Sequence, residues 1–158
     1  MKKIQRIYIS GPVSKGVAES QMINWARLLG EKGIATNFLV FYNKNNIQKY
    51  NKMKDSFKDE NFIGVKFFNL FLIREIFILF FLFIYFNKHK KRNEKFVIQT
   101  RSTSFSIPIQ LLKNLFRFKI IYEIRGAGEE EESHNNFRSI YNKLNEYLML
   151  RYSNKIFT

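Results

Sequence analysis

Cysteine is absent from this sequence, and aspartate, histidine and proline are scarce. Without cysteine the chain can form neither a disulfide framework nor a thiolate metal site, which fits a reducing compartment. The only aspartates, Asp55 and Asp59, form no Asp-x-Asp motif. The histidines, His89 and His134, lie in polar segments and lack the spacing of metal ligands. The sequence therefore predicts no metal site.

Common phosphate-binding and catalytic motifs are also missing. Gly11 and Gly16 bracket four residues, but Val17 and Ala18 follow them instead of the Lys-Ser/Thr pair of a P-loop. The dinucleotide fingerprint Gly-x-Gly-x-x-Gly is absent as well. No Ser-His-Asp set or nucleophile elbow can be assembled. These absences argue against a P-loop ATPase or a dinucleotide-dependent dehydrogenase, and no catalytic residue can be named.

The most apolar segment, residues 67–86, is interrupted by Asn69, Arg74 and Glu75. Its uncharged remainder, residues 76–86, is shorter than the roughly 20 apolar residues that span a bilayer. Basic residues follow at once, which is typical of an interfacial helix with cationic anchors on an anionic membrane. A buried crossover helix and a true span remain alternatives. The cations expected to contact the membrane are Lys88, Lys90, Lys91 and Arg92.

Basic residues are abundant, and the formal net charge is +14. A field this positive favours an anionic partner, such as nucleic acid, an acidic membrane leaflet or a phosphorylated substrate. The alternative is amino-acid usage, because Lys, Asn, Ile and Phe are all abundant together, as in AT-rich coding sequence. The basic residues are scattered along the chain, so both explanations remain open.

The chain opens with an apolar run at residues 4–9, a small-residue loop at residues 10–16 and an amphipathic segment. In that segment Met22, Trp25, Ala26 and Leu29 follow helical spacing. This is the strand–loop–helix unit that begins an α/β domain. Such a loop, at the carboxyl end of a first strand and before a helix, suits a phosphate or sugar hydroxyls. A plain tight turn is the alternative.

Strands and helices alternate along the remaining chain, which predicts a parallel sheet with right-handed crossovers in a single domain covering residues 1–158. Residues 42–60 are expected to form a surface loop or insertion. Expected strands lie at 34–41, 61–68, 95–100, 119–124 and from 155 onward, and expected helices at 70–86, from 106 and at 136–152. The expected apolar helix faces comprise Leu111, Leu112, Leu115 and Phe116, and then Phe137, Ile140, Tyr141, Leu144 and Leu148.

Polar residues follow the strands at 95–100 and 119–124, where open α/β sheets bind ligands. Arg101 could pair with a phosphate, and the hydroxyl of Ser102 could bind sugar. Helix capping is the alternative for the serines. Glu123 and Arg125 share one face if the strand continues that far, and Gly126 follows them.

Together, the segments 10–21, 99–102 and 120–126 resemble the N-terminal domain of family 4 glycosyltransferases of the GT-B fold. The likeness spans nearly the whole chain in order, although Glu123 stands where that family more often has Asp. It implies an α/β, Rossmann-like three-layer domain with a mostly parallel sheet, the N-terminal half of a GT-B fold. The donor-binding C-terminal half is then expected as a second Rossmann-like domain or subunit.

The resemblance implies transfer of a sugar from a nucleotide diphosphate sugar to a lipid-linked or saccharide acceptor in surface polysaccharide or glycolipid biosynthesis. No cofactor is expected besides the nucleotide sugar as donor substrate, and the chain alone should be inactive. The resemblance also implies a cytoplasmic protein at the inner face of the cell membrane, with nucleic acid not expected as a partner. The implied binding residues are Gly11, Ser14, Lys15, Gly16, Glu19, Arg101, Ser102, Glu123, Arg125 and Gly126.

The main alternative is a non-catalytic basic α/β module that binds nucleic acid or an anionic membrane. The net charge of +14 supports it. However, nucleic-acid modules usually concentrate their basic residues and interleave exposed aromatics. Most aromatics here lie in apolar runs.

Overall fold

A computed structural model of the chain describes residues 4–12, 15–57, 61–67, 71–90, 95–101, 105–123 and 136–157. Within these ranges the strands form one six-stranded parallel sheet. The strands are β1 (Ile4–Ser10), β2 (Ala35–Tyr42), β3 (Asn61–Lys66), β4 (Lys95–Thr100), β5 (Lys119–Glu123) and β6 (Lys155–Phe157). Their order across the sheet is β3-β2-β1-β4-β5-β6.

Helices connect the strands. The first, α1, consists of Lys15–Val17, a π-helical stretch Ala18–Ile23 and Asn24–Glu31, which follow one another without a break. The remaining helices are α2 (Ile47–Lys54), α3 (Phe71–Lys90), α4 (Ser106–Phe116) and α5 (Asn136–Tyr152). Short 3₁₀ turns, Lys44–Asn46 and Asp55–Phe57, flank α2.

Successive strands are added in one direction across the sheet up to β3 and in the opposite direction from β4 onward. The chain runs outward from β1 to β3, crosses back through α3, and then runs outward on the other side from β4 to β6. Right-handed crossovers therefore place α1 and α2 on one face of the sheet and α3, α4 and α5 on the other. The expected Rossmann-like three-layer α/β fold is confirmed, and its sheet is parallel throughout the described strands.

Each face of the sheet has its own apolar core, because successive strand residues point to opposite sides. Ile7 and Ile9 of β1 pack in the core under α3, α4 and α5, together with Leu82 and Phe86. Tyr8 packs on the other side in the core under α1 and α2. That second core also contains Ala18, Met22, Ala26, Phe38, Met53 and Phe57.

The expected surface loop at 42–60 is wrong. Tyr50 and Met53 of α2, and Phe57 just after it, are buried against the sheet. The Tyr50 ring stacks on Tyr42 at a centroid distance of 3.7 Å, and Phe57 meets Phe38 edge-on at 4.7 Å. These apolar residues are widely spaced among Asn and Lys, so the polar composition of the segment hides its short amphipathic helix.

The expected apolar face of α1 is also partly wrong. Met22 and Ala26 are buried as expected, but Trp25 is 57% exposed. The π-helical stretch explains this, because its wider turns bring residues four and five apart onto the same side. Ala18 and Ile23 join Met22 in the core, and Trp25 is rotated toward solvent.

The outer helices α4 and α5 bury the expected apolar residues only in part. Leu112 and Phe116 of α4 are buried as expected, but Leu111 and Leu115 are exposed, as are Ile140 and Leu144 of α5. The stripes that face the core include polar residues that hydrogen-bond to each other: the hydroxyl of Ser106 in α4 donates to Oδ1 of Asn145 in α5. The other core-facing residues of these helices are Pro108, Ile109, Leu112, Phe116 and Met149.

Candidate functional site

The candidate site lies at the carboxyl ends of β1 and β4, the central strands of the sheet. Ile9 of β1 pairs with Thr100 of β4, so the strands end at nearly the same level. From there the chain leaves β1 toward α1 on one face and leaves β4 toward α4 on the other. In open α/β sheets this divergence forms the crevice that holds ligands.

Five polar side chains meet on the α1 side of the sheet just below this crevice. Arg6 and Tyr8 lie two residues apart on β1, and Gln99 of β4 pairs opposite Tyr8. Arg101 follows β4, and Glu123 ends β5. Alternating positions on neighbouring parallel strands share one face, which is why these residues converge. Arg6, Tyr8, Gln99, Arg101 and Glu123 are called the polar cluster below.

The Glu123 carboxylate is the acceptor at the centre of the polar cluster. The Tyr8 hydroxyl donates to its Oε2 over 2.8 Å, and the Gln99 amide nitrogen donates to its Oε1. The Nε of Arg101 lies 3.7 Å from Oε2, within ion-pair distance. The carboxylate thus has neutral donors on two sides and a cation on a third.

Arg6 anchors the lower end of the polar cluster inside the sheet. Its Nε donates to Oε1 of Gln99 over 2.5 Å, and its Nη1 donates to Oγ1 of Thr36 over 3.5 Å. Its guanidinium carbon lies 5.3 Å from the centre of the Tyr8 ring, a cation–π contact. Gln99 therefore bridges the buried Arg6 to Glu123, which offsets part of the cost of burying the charge.

Burial dominates the ionisation of the cluster. It lowers the pKa of Arg6, while the electrostatic interactions of Arg6 with Tyr8 and Glu123 act in the opposite sense. Burial also raises the pKa of Tyr8 well above its ordinary value, and the Glu123 carboxylate adds to that rise. Tyr8 consequently remains a neutral phenol at physiological pH and serves as a hydrogen-bond donor to Glu123.

The polar cluster carries an excess of positive charge. It contains the guanidinium groups of Arg6 and Arg101 against the single carboxylate of Glu123. The Nη2 of Arg101 donates to Oε1 of Gln21 in α1 over 2.6 Å. Within the described part of the chain its Nη1 has no hydrogen-bond partner, nor does Oγ of Ser10, whose residue is 1% exposed. The upper end of the cluster thus retains donors next to the crevice, as an anion or sugar site requires.

The other expected residues of the first loop take separate positions. Gly11 follows β1 and is half-buried, with nothing within 4 Å of where a Cβ would lie. Lys15 and Gly16 form the first turn of α1. Glu19 is exposed in the π-helical stretch, and its carboxylate accepts from the hydroxyl of Ser56 over 3.2 Å. Among the described residues, the expected binding residues in mutual contact are Arg101 and Glu123.

Several expected residues lie outside the described residues: Ser14, Ser102, Arg125, Gly126, Lys91 and Arg92. Of the other expected membrane-contacting cations, Lys88 is exposed near the end of α3, and Lys90 is the last residue of that helix. Across the described ranges no helix, α3 included, is both long and apolar enough to cross a bilayer.

Sequence reasoning missed Arg6, Tyr8 and Gln21 as site residues. A signal for Arg6 is present, because a cation inside an apolar, central parallel strand must have buried partners. Tyr8 lies two residues after Arg6 on the same strand, so the alternation of side chains places it on the same face. Gln21 carries no signal, because its contact with Arg101 depends on the π-helical stretch of α1.

No three His, Asp or Glu side chains come together as a possible metal site in the described ranges. A scan against protein-family models finds no match to the chain, and a search of curated proteins finds none either. Function is therefore inferred from the fold, the polar cluster and the molecular surface.

Proposed function

We propose that this chain is the acceptor-binding half of a glycosyltransferase. In this proposal the complete enzyme transfers a sugar from a nucleotide diphosphate sugar to a lipid-linked or saccharide acceptor in surface polysaccharide or glycolipid biosynthesis. The supporting observation is the polar cluster at the switch point of the sheet, with its net positive charge and the spare donors of Arg101 and Ser10. Sequence motifs at the ends of the same strands support the same assignment.

In this proposal Arg101 binds the acceptor phosphate, and Glu123 positions Arg101. A guanidinium presents planar donors that match phosphate oxygens, and a neighbouring carboxylate restricts its rotamers. Gln21 of α1 accepts from Nη2 of the same guanidinium, so side chains of α1 and β5 together fix its direction. Glu123 and Gln99 also provide acceptors of the kind that recognise sugar hydroxyls.

The proposal places the donor diphosphate near Gly11 and Gly16, where the chain has room for close backbone approach. A second Rossmann-like domain or subunit would bind the nucleotide and face this loop across a cleft. The proposed location is the cytoplasmic face of the cell membrane, where lipid-linked acceptors are found. The chain on its own is expected to bind acceptor without turning it over.

A binding experiment tests this proposal directly. Geranyl phosphate in detergent micelles serves as a short lipid-phosphate probe, and N-acetylglucosamine 1-phosphate as a soluble one. We expect Arg101→Gln to weaken binding of both by about tenfold or more, because a charged hydrogen bond contributes about 1.5–3 kcal/mol. Isothermal titration calorimetry or ligand-detected NMR measures the change.

Arg27→Gln is the matched control, because Arg27 is an exposed cation in α1 that belongs neither to the polar cluster nor to the basic helix ends on the other side of the sheet. It should leave binding of both probes unchanged. Equal losses in Arg101→Gln and Arg27→Gln would overturn the proposal and indicate a non-specific basic surface. Salt-sensitive binding of duplex DNA at the expense of both probes would favour the nucleic-acid alternative.

A further inference from the structure

Helix α3 has two opposite apolar faces. One contains Ile78, Leu82 and Phe86 and packs in the core against the sheet. The other contains Ile76 and Phe80, which are 67% and 65% exposed. Ile76 and Phe80 each lie two residues from Ile78, which is roughly half a turn of an α-helix, so the exposed row lies opposite the buried one. The complete exposed row is Ile73, Ile76, Phe80, Phe83 and Ile84.

The exposed row continues onto the neighbouring helix α4. Lys113 of α4 donates to the carbonyl of Tyr152 in α5, which fixes the side of α4 that faces α5. Leu111 and Leu115 are exposed and lie on the opposite side of α4 by helical periodicity, toward α3. The Phe83 ring of α3 meets Phe116 of α4 edge-on at a centroid distance of 5.8 Å, so the helices are in direct contact.

Helix α5 extends this surface on the far side of α4. Asn145 and Met149 are its buried positions, and Ile140, Leu144 and Tyr147 are exposed on the opposite stripe. The three helices therefore present one apolar surface on the side away from the sheet, called the outer apolar face. It consists of Ile73, Ile76, Phe80, Phe83, Ile84, Leu111, Leu115, Ile140, Leu144 and Tyr147.

Cations line one end of the outer apolar face. Each of the three helices ends on or close to an exposed basic residue: Lys88 in α3, Arg117 directly after α4 and Arg151 in α5. All three helices run antiparallel to the strands, so their last turns lie at the same edge of the sheet. Lys88, Arg117 and Arg151 are called the cationic edge.

Acidic residues are few on these helices. Their sequences contain only Glu75 and Glu146. Glu75 lies toward the opposite end of α3 and pairs with Arg74 at 2.6 Å. The outer apolar face and the cationic edge thus form an amphipathic surface whose charge is strongly of one sign.

We propose that the outer apolar face docks onto an anionic lipid bilayer. Its apolar side chains enter the boundary between headgroups and acyl chains, and the cationic edge binds the headgroups. An interfacial helix needs this combination of an apolar face with flanking Lys and Arg, and no described helix meets the requirement for a span. A continuous exposed apolar surface of this kind marks an interaction site in a folded protein. The charge of the cationic edge selects an anionic lipid surface over a neutral one.

This inference adds the docking surface to the membrane location in the proposed function, and rests on that function for its purpose. Its test does not depend on sugar transfer. A chain that binds vesicles through this surface yet ignores both phosphate probes would support the inference and contradict the proposed function. The reverse result would contradict the inference alone.

Vesicle flotation of the full chain provides the first test. Vesicles of phosphatidylcholine mixed with phosphatidylglycerol should bind the chain, and vesicles of pure phosphatidylcholine should bind it at least about tenfold less. The double variant Ile76→Ser/Phe80→Ser should lose about tenfold or more of the binding, because two large side chains no longer enter the bilayer. Trp25→Ser/Leu28→Ser is the matched control: these exposed residues lie on α1, across the sheet, and binding should be unchanged.

Tryptophan fluorescence shows which side of the protein faces the bilayer. The chain has a single tryptophan, Trp25, so native fluorescence reports the α1 side alone. In a Trp25→Phe background, Phe80→Trp should shift to the blue and be quenched by vesicles with brominated acyl chains. The native protein should show neither effect. Quenching of Trp25 in the native protein would overturn the proposal. So would a lack of quenching in the Phe80→Trp variant.

A second copy of the chain is the competing occupant of this surface. Sedimentation velocity without lipid measures whether the chain is a monomer or a dimer. A dimer that Ile76→Ser/Phe80→Ser converts to monomer, together with unchanged vesicle binding, would overturn the proposal. A monomer in both forms, with vesicle binding lost in the variant, would support it.

Discussion

Gly64 on β3 lacks a side chain because Tyr50 occupies the space where one would lie. A Cβ at Gly64 would overlap the phenol ring of Tyr50. That ring is held in place, since it stacks on Tyr42 and packs against Phe62 at a centroid distance of 5.9 Å. We expect Gly64→Ala to lower the free energy of unfolding by about 1–3 kcal/mol, the usual cost of overpacking. Urea unfolding of both forms measures this difference in free energy.

Gly30→Ala is the matched control for this substitution. Gly30 lies in α1, and nothing lies within 4 Å of where its Cβ would be. Because alanine restricts the unfolded chain and favours the helix, this variant should gain about 0.5–1 kcal/mol. If both variants lost stability equally, the close packing of Gly64 against Tyr50 would be contradicted.

At the scale of the element, the π-helical stretch of α1 decides which side chains are buried. It turns Met22 inward and Trp25 outward. We expect Met22→Ala to cost about 2–5 kcal/mol of unfolding free energy, as buried methionine truncations do. Trp25→Ala should change it by no more than about 0.5 kcal/mol, as expected for a surface position. Comparable losses in urea unfolding for the two variants would mean that α1 is regular.

The elements could be predicted from the sequence far better than their faces. The strand at 95–100 and the helix at 136–152 have the bounds that pattern alone predicts, because each is a continuous periodic segment between polar breaks. The faces of α4 and α5 were predicted only in part, because their buried stripes also contain the hydrogen-bonded pair Ser106 and Asn145. Apolar periodicity treats such positions as solvent-facing.

The candidate site was predictable where it follows strand ends and hidden where it lies inside a strand. Arg101 and Glu123 stand directly at strand ends, so the parallel-sheet rule brings them together. Arg6 and Tyr8 lie within an apolar strand, and their partners depend on strand order and register. That order places β4 beside β1, which local sequence cannot indicate.

At the scale of the whole molecule, the net charge of +14 opposes folding through self-repulsion. We expect sodium chloride to raise the thermal midpoint from its low-salt value, because screening at about 0.1 M already acts over about 10 Å. A stabilisation of about 1 kcal/mol corresponds to roughly 2–4 °C for a chain of this size. Differential scanning calorimetry measures the shift.

A variant with fewer surface cations tests the cause. Lys95→Gln/Lys119→Gln/Lys155→Gln removes three exposed cations that begin neighbouring strands. Its midpoint should rise at low salt and depend less on sodium chloride. An unchanged salt dependence would assign the effect to general salt action on apolar surface rather than to charge.

The central position of β1 governs the order in which this chain can fold during synthesis. Ile4 pairs with Lys95, so one side of the first strand stays unpaired until the fourth has left the ribosome. Until α3 packs over them, β1, β2 and β3 also expose an apolar face that includes Ile7, Leu39 and Phe41. Nascent chains of such non-local topology fold late and are exposed to aggregation. A chaperone that covers the unpaired edge of β1 until β4 emerges is therefore expected to reduce aggregation of the nascent chain.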